Sequence, residues 1–156
     1  MATSTRSPVL ALVTLSLILA SSPRVATGAN RLVRETLPRV VTLSVHDEAG
    51  DRVGQGSGFC IGNGEIVTNL HVVAGATWVE VYDQGGDLLG TAPFAVLSDI
   101  DNDLAVLSIP GQNQEGLSIA SSAPEVGEDI WVFGAPMGLE GTVSTGIVSA
   151  LRDTDG

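Results

Sequence analysis

Behind an apolar N-terminal block, the chain sets short Val-rich apolar runs between clusters of Gly, Asp and Asn. The runs are VVTLSVH (Val40–His46), GSGFCIG (Gly56–Gly62), EIVTNL (Glu65–Leu70), TWVEVYD (Thr77–Asp83), LLGTAPFAVLS (Leu88–Ser98) and LAVLSIP (Leu104–Pro110). DEAGDRVG, GNG, DQGGD and DIDND stand between them and read as turns. Gly62-Asn63-Gly64 supplies the positive-φ residues that a tight hairpin needs. Six strands at this spacing predict a small antiparallel barrel or sandwich over residues 40–110.

Ahead of these strands, residues 30–39 have a loosely helical pattern and form a lead-in. After them, GQNQEG (Gly111–Gly116) reads as a linker to a second series: LSIA (Leu117–Ala120), DIWVFGAP (Asp129–Pro136) and GTVSTGIVSALRD (Gly141–Asp153). These later strands are too few to close a barrel, and an open sheet leaves edges unpaired. The expectation is therefore an all-β chain with a complete first barrel, 40–110, and the start of a second, 111–156.

The N-terminal block has a different meaning. VLALVTLSLILA (Val9–Ala20) is too short to span a bilayer comfortably, which takes about 20 residues. Thr27 and Ala29 satisfy the small-x-small rule, so residues 1–29 read as a secretory signal peptide cleaved after Ala29. Secretion or a periplasmic location follows. An organelle transit peptide and an uncleaved anchor remain open, because the first acidic residue is Glu35. The continuous apolar core argues against an amphipathic transit sequence, so an organelle lumen is less favoured.

Composition narrows the function classes. Gly is abundant at 19 residues and aromatics are scarce at 4%, which suits short strands and tight turns. Eighteen acidic residues oppose seven basic ones, all Arg, for a net charge of −11. Such a surface repels phosphates and anionic lipid, so no nucleic-acid partner and no membrane partner after cleavage are expected. Cleavage would also remove Arg6 and Arg24, leaving five basic residues. Cys60 is the single cysteine and His46 and His71 the only histidines, so neither a disulfide nor a tetrahedral metal site is expected. No cofactor is implied.

Chemistry is carried by two places. His71 directly follows the run EIVTNL, and Asp103 stands at the mouth of the otherwise apolar strand LAVLSIP. A His and an Asp on neighbouring strand ends are the base and orienter of nucleophilic catalysis, the Asp fixing the imidazole tautomer through Nδ1–H. A solvated acidic turn is the alternative reading of DIDND, and it suits Asp99 and Asp101.

Three motifs, in order, carry a resemblance. GSGFCIGNGEIVTNLHVV, NDLAVLSI and GAPMGLEGTVSTGIVSA are similar to trypsin-like serine proteases, specifically the HtrA/Deg branch, over about Val40 to Leu151. The resemblance implies a double β-barrel and peptide-bond hydrolysis without a cofactor. His71 then stands at the general-base position and Asp103 at the triad Asp position. It also implies polypeptide substrates, unfolded or misfolded, and a possible homo-oligomer. Animal relatives place a Cys just after the His, bonded to one upstream. Here Val72 and Val73 follow His71, which favours the disulfide-poor bacterial type.

The departures matter as much. The family's nucleophile lies in a G-N-S-G-G-type loop beyond the G-I-V-S strand, and this sequence stops at LRDTDG. Ser57 opens a strand ahead of His71, and Ser144 and Ser149 lie in a structural strand without a G-x-S-x-G elbow. No nucleophile is expected within the chain, nor the oxyanion hole that accompanies it. Cys60, in GFCIG, reads as a small buried hydrophobe rather than a substitute nucleophile.

The main expectation is an N-terminal fragment of a secreted serine endopeptidase, inactive alone. The rival is a non-catalytic pseudoprotease that binds peptides or a partner chain by β-augmentation. A triad completed by another chain ranks last, since catalytic geometry tolerates little looseness.

Overall fold

The computed structural model describes residues 26–93, 95–134 and 142–152. Most of the signal-peptide reading therefore lies outside the described residues. Helix α1 spans Ala26–Thr36, so it begins upstream of the lead-in read from sequence and runs through the expected cleavage point. A 3-10 turn, Leu37–Arg39, delivers the chain to the sheet.

Seven strands form the main sheet: β1 Val40–His46, β2 Arg52–Gly62, β3 Glu65–Asn69, β4 Trp78–Tyr82, β5 Leu88–Ala92, β6 Ala95–Asp99 and β7 Leu104–Ser108. Their order is β5-β4-β1-β2-β3-β7-β6, with every pairing antiparallel. The two outermost strands, β5 and β6, are only two residues apart in the chain although they lie at opposite edges, so the sheet curls round as in a half-barrel.

Pro93 corrects the strand count. Leu88–Ser98 was expected as one strand, yet proline has no N–H for a ladder and fixes its own φ, so the run breaks into β5 and β6.

The inward positions of β1 are Val41, Leu43 and Val45, all at most 2% exposed. Val41 and Leu43 share one core cluster with Val79 and Val81 of β4, Ile66 of β3, and Ala105 and Leu107 of β7. Opposite them β2 offers Gly54, Gly56 and Gly58, in register with Val45, Leu43 and Val41. Small residues on one wall let a narrow barrel fill with β-branched side chains from the other. Burying a side chain such as Leu43 stabilises by about 1.5–3 kcal/mol. The β2–β3 hairpin turns through Gly62, Asn63 and Gly64, all with positive φ.

The outer face of β1 is covered as well. The His46 ring stacks on Trp78 at 3.9 Å, and its Nε2 lies 3.0 Å from Ser44 Oγ and 3.2 Å from Glu80 Oε2. Tyr82 O–H donates to the same Glu80 oxygen, which raises the Tyr82 pKa.

Residues 111–117 are not a free linker. Gln112 Nε2 donates to Leu89 O and Gln114 Nε2 to Pro38 O, while Arg39 pairs with Glu115 at 2.6 Å. Leu117 N–H donates to Cys60 O at 2.8 Å. The segment is strapped against the barrel by these bonds, and Leu117–Ala120, expected as a strand, is not one: its Leu117 N–H is spent on Cys60 O. A separate antiparallel pair follows, β8 Asp129–Gly134 with β9 Thr142–Ile147. Pro136 and Asp153 lie outside the described residues, but β9 already ends at Ile147, so residues 148–152, expected to continue it, are not strand.

Candidate active site

Strand β3 ends at Asn69, and the chain turns at once into a single helical turn, α2, Leu70–Val73. The sequence run EIVTNL read as strand through Leu70, so the turn starts one residue early. Asn69 has extended backbone, φ −76° and ψ 142°, but its side chain does not cap the turn. The orphan N–H groups at a helix start need acceptors. Asp103 supplies them from the turn between β6 and β7: its backbone O accepts Leu70 N–H at 3.0 Å, and Oδ1 accepts His71 N–H at 2.8 Å. Asn69 Nδ2 also donates to Asp103 O, at 3.1 Å.

The remaining oxygen, Asp103 Oδ2, lies 2.5 Å from His71 Nδ1. A carboxylate only accepts, so Nδ1 carries the proton and Nε2 keeps its lone pair in the neutral ring. Among the described residues Nε2 has no partner. The structure thus brings together the two residues singled out in the sequence.

Asp103 reaches this position through its backbone. Its φ is +52°, in the left-handed region that Asp tolerates better than most residues. Its N–H closes the turn on Ile100 O. Asp99 braces that turn, with Oδ1 accepting Asn102 N–H and Oδ2 accepting Asn102 Nδ2–H. Asp99 therefore has a structural job rather than sitting as a free solvated acid, and the Asn102 side chain holds its pKa below the ordinary value.

The electrostatics follow from these bonds. The His71 backbone N–H, then the His71 ring, then Asn69 hold the Asp103 pKa below the usual carboxylate range, so it is ionised at neutral pH. The pair stands open to water, the His71 side chain 70% and the Asp103 side chain 44% exposed, so its ion-pair energy is screened.

A cleft between the two sheets reaches Asn69 and Val72, which flank Leu70 and His71 in the chain, while neither His71 nor Asp103 lines it. One part, about 480 Å³, is lined by Phe59, Val67, Leu117, Trp131 and Phe133 with Ser57, Thr68 and Asn69. A second part, about 360 Å³, reaches Val72, Thr142 and Ser144. Ser57 and Ser144 are thus cleft-wall residues. Thr68, itself buried, donates to Ser57 O at 2.8 Å and ties the wall to β3. Cys60 is buried, and burial pushes its thiol pKa up, the reverse of what a thiolate nucleophile requires.

Three features escaped the sequence reading: Asn69, the Asp99–Asn102 brace, and the second bond from Asp103 to the His71 backbone. Asn69 and Asn102 are residue types that bond to neighbouring backbone at turns, which was the available signal.

A trypsin-like peptidase domain profile matches residues 56–156, about two thirds of the sequence. The chain belongs to the trypsin-like peptidase family. Among its relatives, the serine protease PepD of Mycobacterium tuberculosis is 34% identical over 135 residues, covering 80% of this chain and 29% of PepD. A DegP-like periplasmic serine endoprotease of Hahella chejuensis is 40% identical over 97 residues, covering 61% of this chain and 20% of that protein. The crystal structure of the serine endoprotease from Yersinia pestis matches with a TM-score of 0.69 at 32% identity, over 85% of this chain and 46% of that one. The fold is thus that of a partial trypsin-like double barrel with HtrA/DegP-type relatives. The chain spans between 20% and 29% of the length of these curated relatives.

Proposed function

We propose that this chain carries the base-and-orienter half of a HtrA/DegP-type serine endopeptidase, with His71 as general base and Asp103 as its orienter. The observation that carries the reading is the 2.5 Å contact between Asp103 Oδ2 and His71 Nδ1, which leaves Nε2 as the lone-pair nitrogen. A serine hydroxyl would lose its proton to Nε2 as its oxygen bonds to the peptide carbonyl carbon. Nε2–H would then return that proton to the leaving amine, giving an acyl-enzyme that water hydrolyses. Asp103 stabilises the imidazolium between those steps. None of the serines of this chain is assigned the attacking role, and no cofactor is required.

Polypeptides, unfolded or misfolded, are the proposed substrates, and a homo-oligomer is the proposed assembly. Export to the periplasm or beyond is proposed from the apolar N-terminal block, with cleavage after Ala29. The names of the DegP-like relatives, which carry the word periplasmic, agree with it.

A second reading draws on β8 and β9. They form a two-stranded sheet in which Val132 and Ile147 are each 58% exposed, a surface on which a peptide or partner strand could add in a non-catalytic protein.

One experiment separates the two. Intact mass of the protein from its source establishes the natural form, which is then assayed on an unfolded polypeptide, with residues 30–156 alone as comparison. The endopeptidase reading expects no turnover from residues 30–156. In an active natural form, His71→Ala should lower kcat by about 10⁶-fold. Wild-type turnover in the His71→Ala form would sink the assignment, and a natural form without turnover would favour the binding reading.

A further inference from the structure

The inner wall of β2 is three glycines, Gly54, Gly56 and Gly58, but the space above each is used differently. A Cβ placed on Gly54 would make ordinary contact with Val45, at 3.4 Å. A Cβ on Gly58 would press on Ile66 Cγ2 at 2.8 Å and on Val67 O at 3.0 Å. A Cβ on Gly56 would fall 2.3 Å from Val72 Cγ1, 3.0 Å from Cγ2 and 3.2 Å from Cβ. Val72 follows His71 in α2, so the atom missing from Gly56 leaves the space in which that turn seats.

We infer that Gly56 is a positioning residue, acting through Val72 to set where α2 presents His71 to Asp103. This deepens the proposed function and rests on it.

The coupling is steric. Rotation of the Val72 side chain could move its Cγ atoms, but valine in a helical turn has one strongly preferred χ1. The Cβ contact, at 3.2 Å, asks for only a few tenths of an ångström, so the clash is carried by the Cγ atoms, Cγ1 above all. With that χ1 restricted, relief comes mainly from shifting the turn itself. That turn is four residues long and is tied to Asp103 by Leu70 N–H, His71 N–H and the His71 ring. A shift of a few tenths of an ångström away from β2 strains all three bonds together. Gly56 lies outside the left-handed φ region, so the demand for glycine here is one of space.

The volume at this contact is shared, and exchanging it between the two positions provides the test. The probe is the low-field proton NMR resonance of His71 Nδ1–H and its exchange rate with water, measured on the 156-residue chain. Gly54→Ala, on the same strand and face, should leave the resonance unchanged. Gly56→Ala should shift it and speed exchange by about tenfold, the scale set by weakening a hydrogen bond to a charged group. Val72→Ala, which empties the seat, should also speed exchange. Gly56→Ala with Val72→Ala together should return the wild-type signal, because the new methyl fills the space the valine left.

A folded Gly56→Ala protein with the wild-type resonance overturns the proposal. Should Gly56→Ala fail to fold, Val72→Ala decides: faster exchange supports the seat, and wild-type exchange overturns it. Asp103→Asn is the control on the underlying reading. If wild type shows no Asp103-dependent Nδ1–H resonance, the His71–Asp103 assignment fails first and the role of Gly56 falls with it.

Discussion

Asp103 holds His71 at two points: Oδ1 accepts the backbone N–H at 2.8 Å, and Oδ2 accepts the ring Nδ1–H at 2.5 Å. The first bond places the turn that carries the histidine, and the second sets its tautomer. One carboxylate from the turn before β7 thus does for α2 what a local N-cap residue does for most helices. The same residue that would orient a catalytic base also builds the base's platform.

This doubling separates two substitutions. Asp103→Asn keeps an oxygen for the His71 backbone N–H but turns an NH₂ toward Nδ1, which selects the tautomer with the proton on Nε2. The fold should survive, and ¹⁵N shifts of the His71 ring should report the exchanged tautomer. In a form with peptidase turnover, kcat should fall by about 10⁴-fold. Asp103→Ala loses both bonds, so it should in addition loosen α2, seen as faster amide exchange at Leu70 and His71 than in Asp103→Asn.

Acid should weaken the same link. The folded pKa of Asp103 lies below its ordinary value, chiefly through the His71 backbone N–H and ring. A depressed folded pKa contributes stability above the unfolded pKa of about 3.9, and that contribution disappears as pH falls through the folded value. The difference in urea midpoint between wild type and Asp103→Asn should therefore be steady near neutrality and shrink below about pH 4. A gap that widens as pH falls would contradict the depressed pKa.

The β2–β3 hairpin offers a comparison within one turn. Gly62 and Gly64 have φ of +103° and +75°. A Cβ on Gly62 meets open space, whereas on Gly64 it would come 2.5 Å from Ile109 O. Gly64 O also accepts Ile109 N–H at 2.9 Å. Gly62→Ala should cost about 1–2 kcal/mol from backbone strain alone. Gly64→Ala should cost clearly more, and denaturant midpoints measured side by side would show the order.

Leu43 tests the barrel core. It is fully buried at the centre of the sheet, between β2 and β4. Leu43→Ala should destabilise by about 2–5 kcal/mol. Because Leu43 faces Gly56 across the β1–β2 ladder, part of that cost should appear as loosening near α2, readable by amide exchange at Val73.

Strand runs, the positive-φ hairpin at Gly62-Asn63-Gly64, and His71 and Asp103 as residues of interest were legible in the sequence. Each is a local matter: apolar β-branched runs favour pleated backbone, Gly and Asn accept left-handed φ, and chemistry-bearing types at strand ends are few. The break at Pro93 was also local and could have been read. The strap at 111–117 was not legible, because Gln112, Gln114 and Glu115 look like any polar linker until their partners Leu89, Pro38 and Arg39 are known.

By itself, the sequence determined which segments could be strands, where the chain must turn, and which side chains could hold or move a proton. The tertiary structure decided which of them meet. His71 and Asp103 are 32 residues apart, and their contact depends on β3 pairing with β7 in the register that puts Asn69 opposite Leu104. It depends also on the left-handed backbone at Asp103 and on the space left at Gly56. Register and close approach are properties of two strands at once, so no single stretch of sequence contains them.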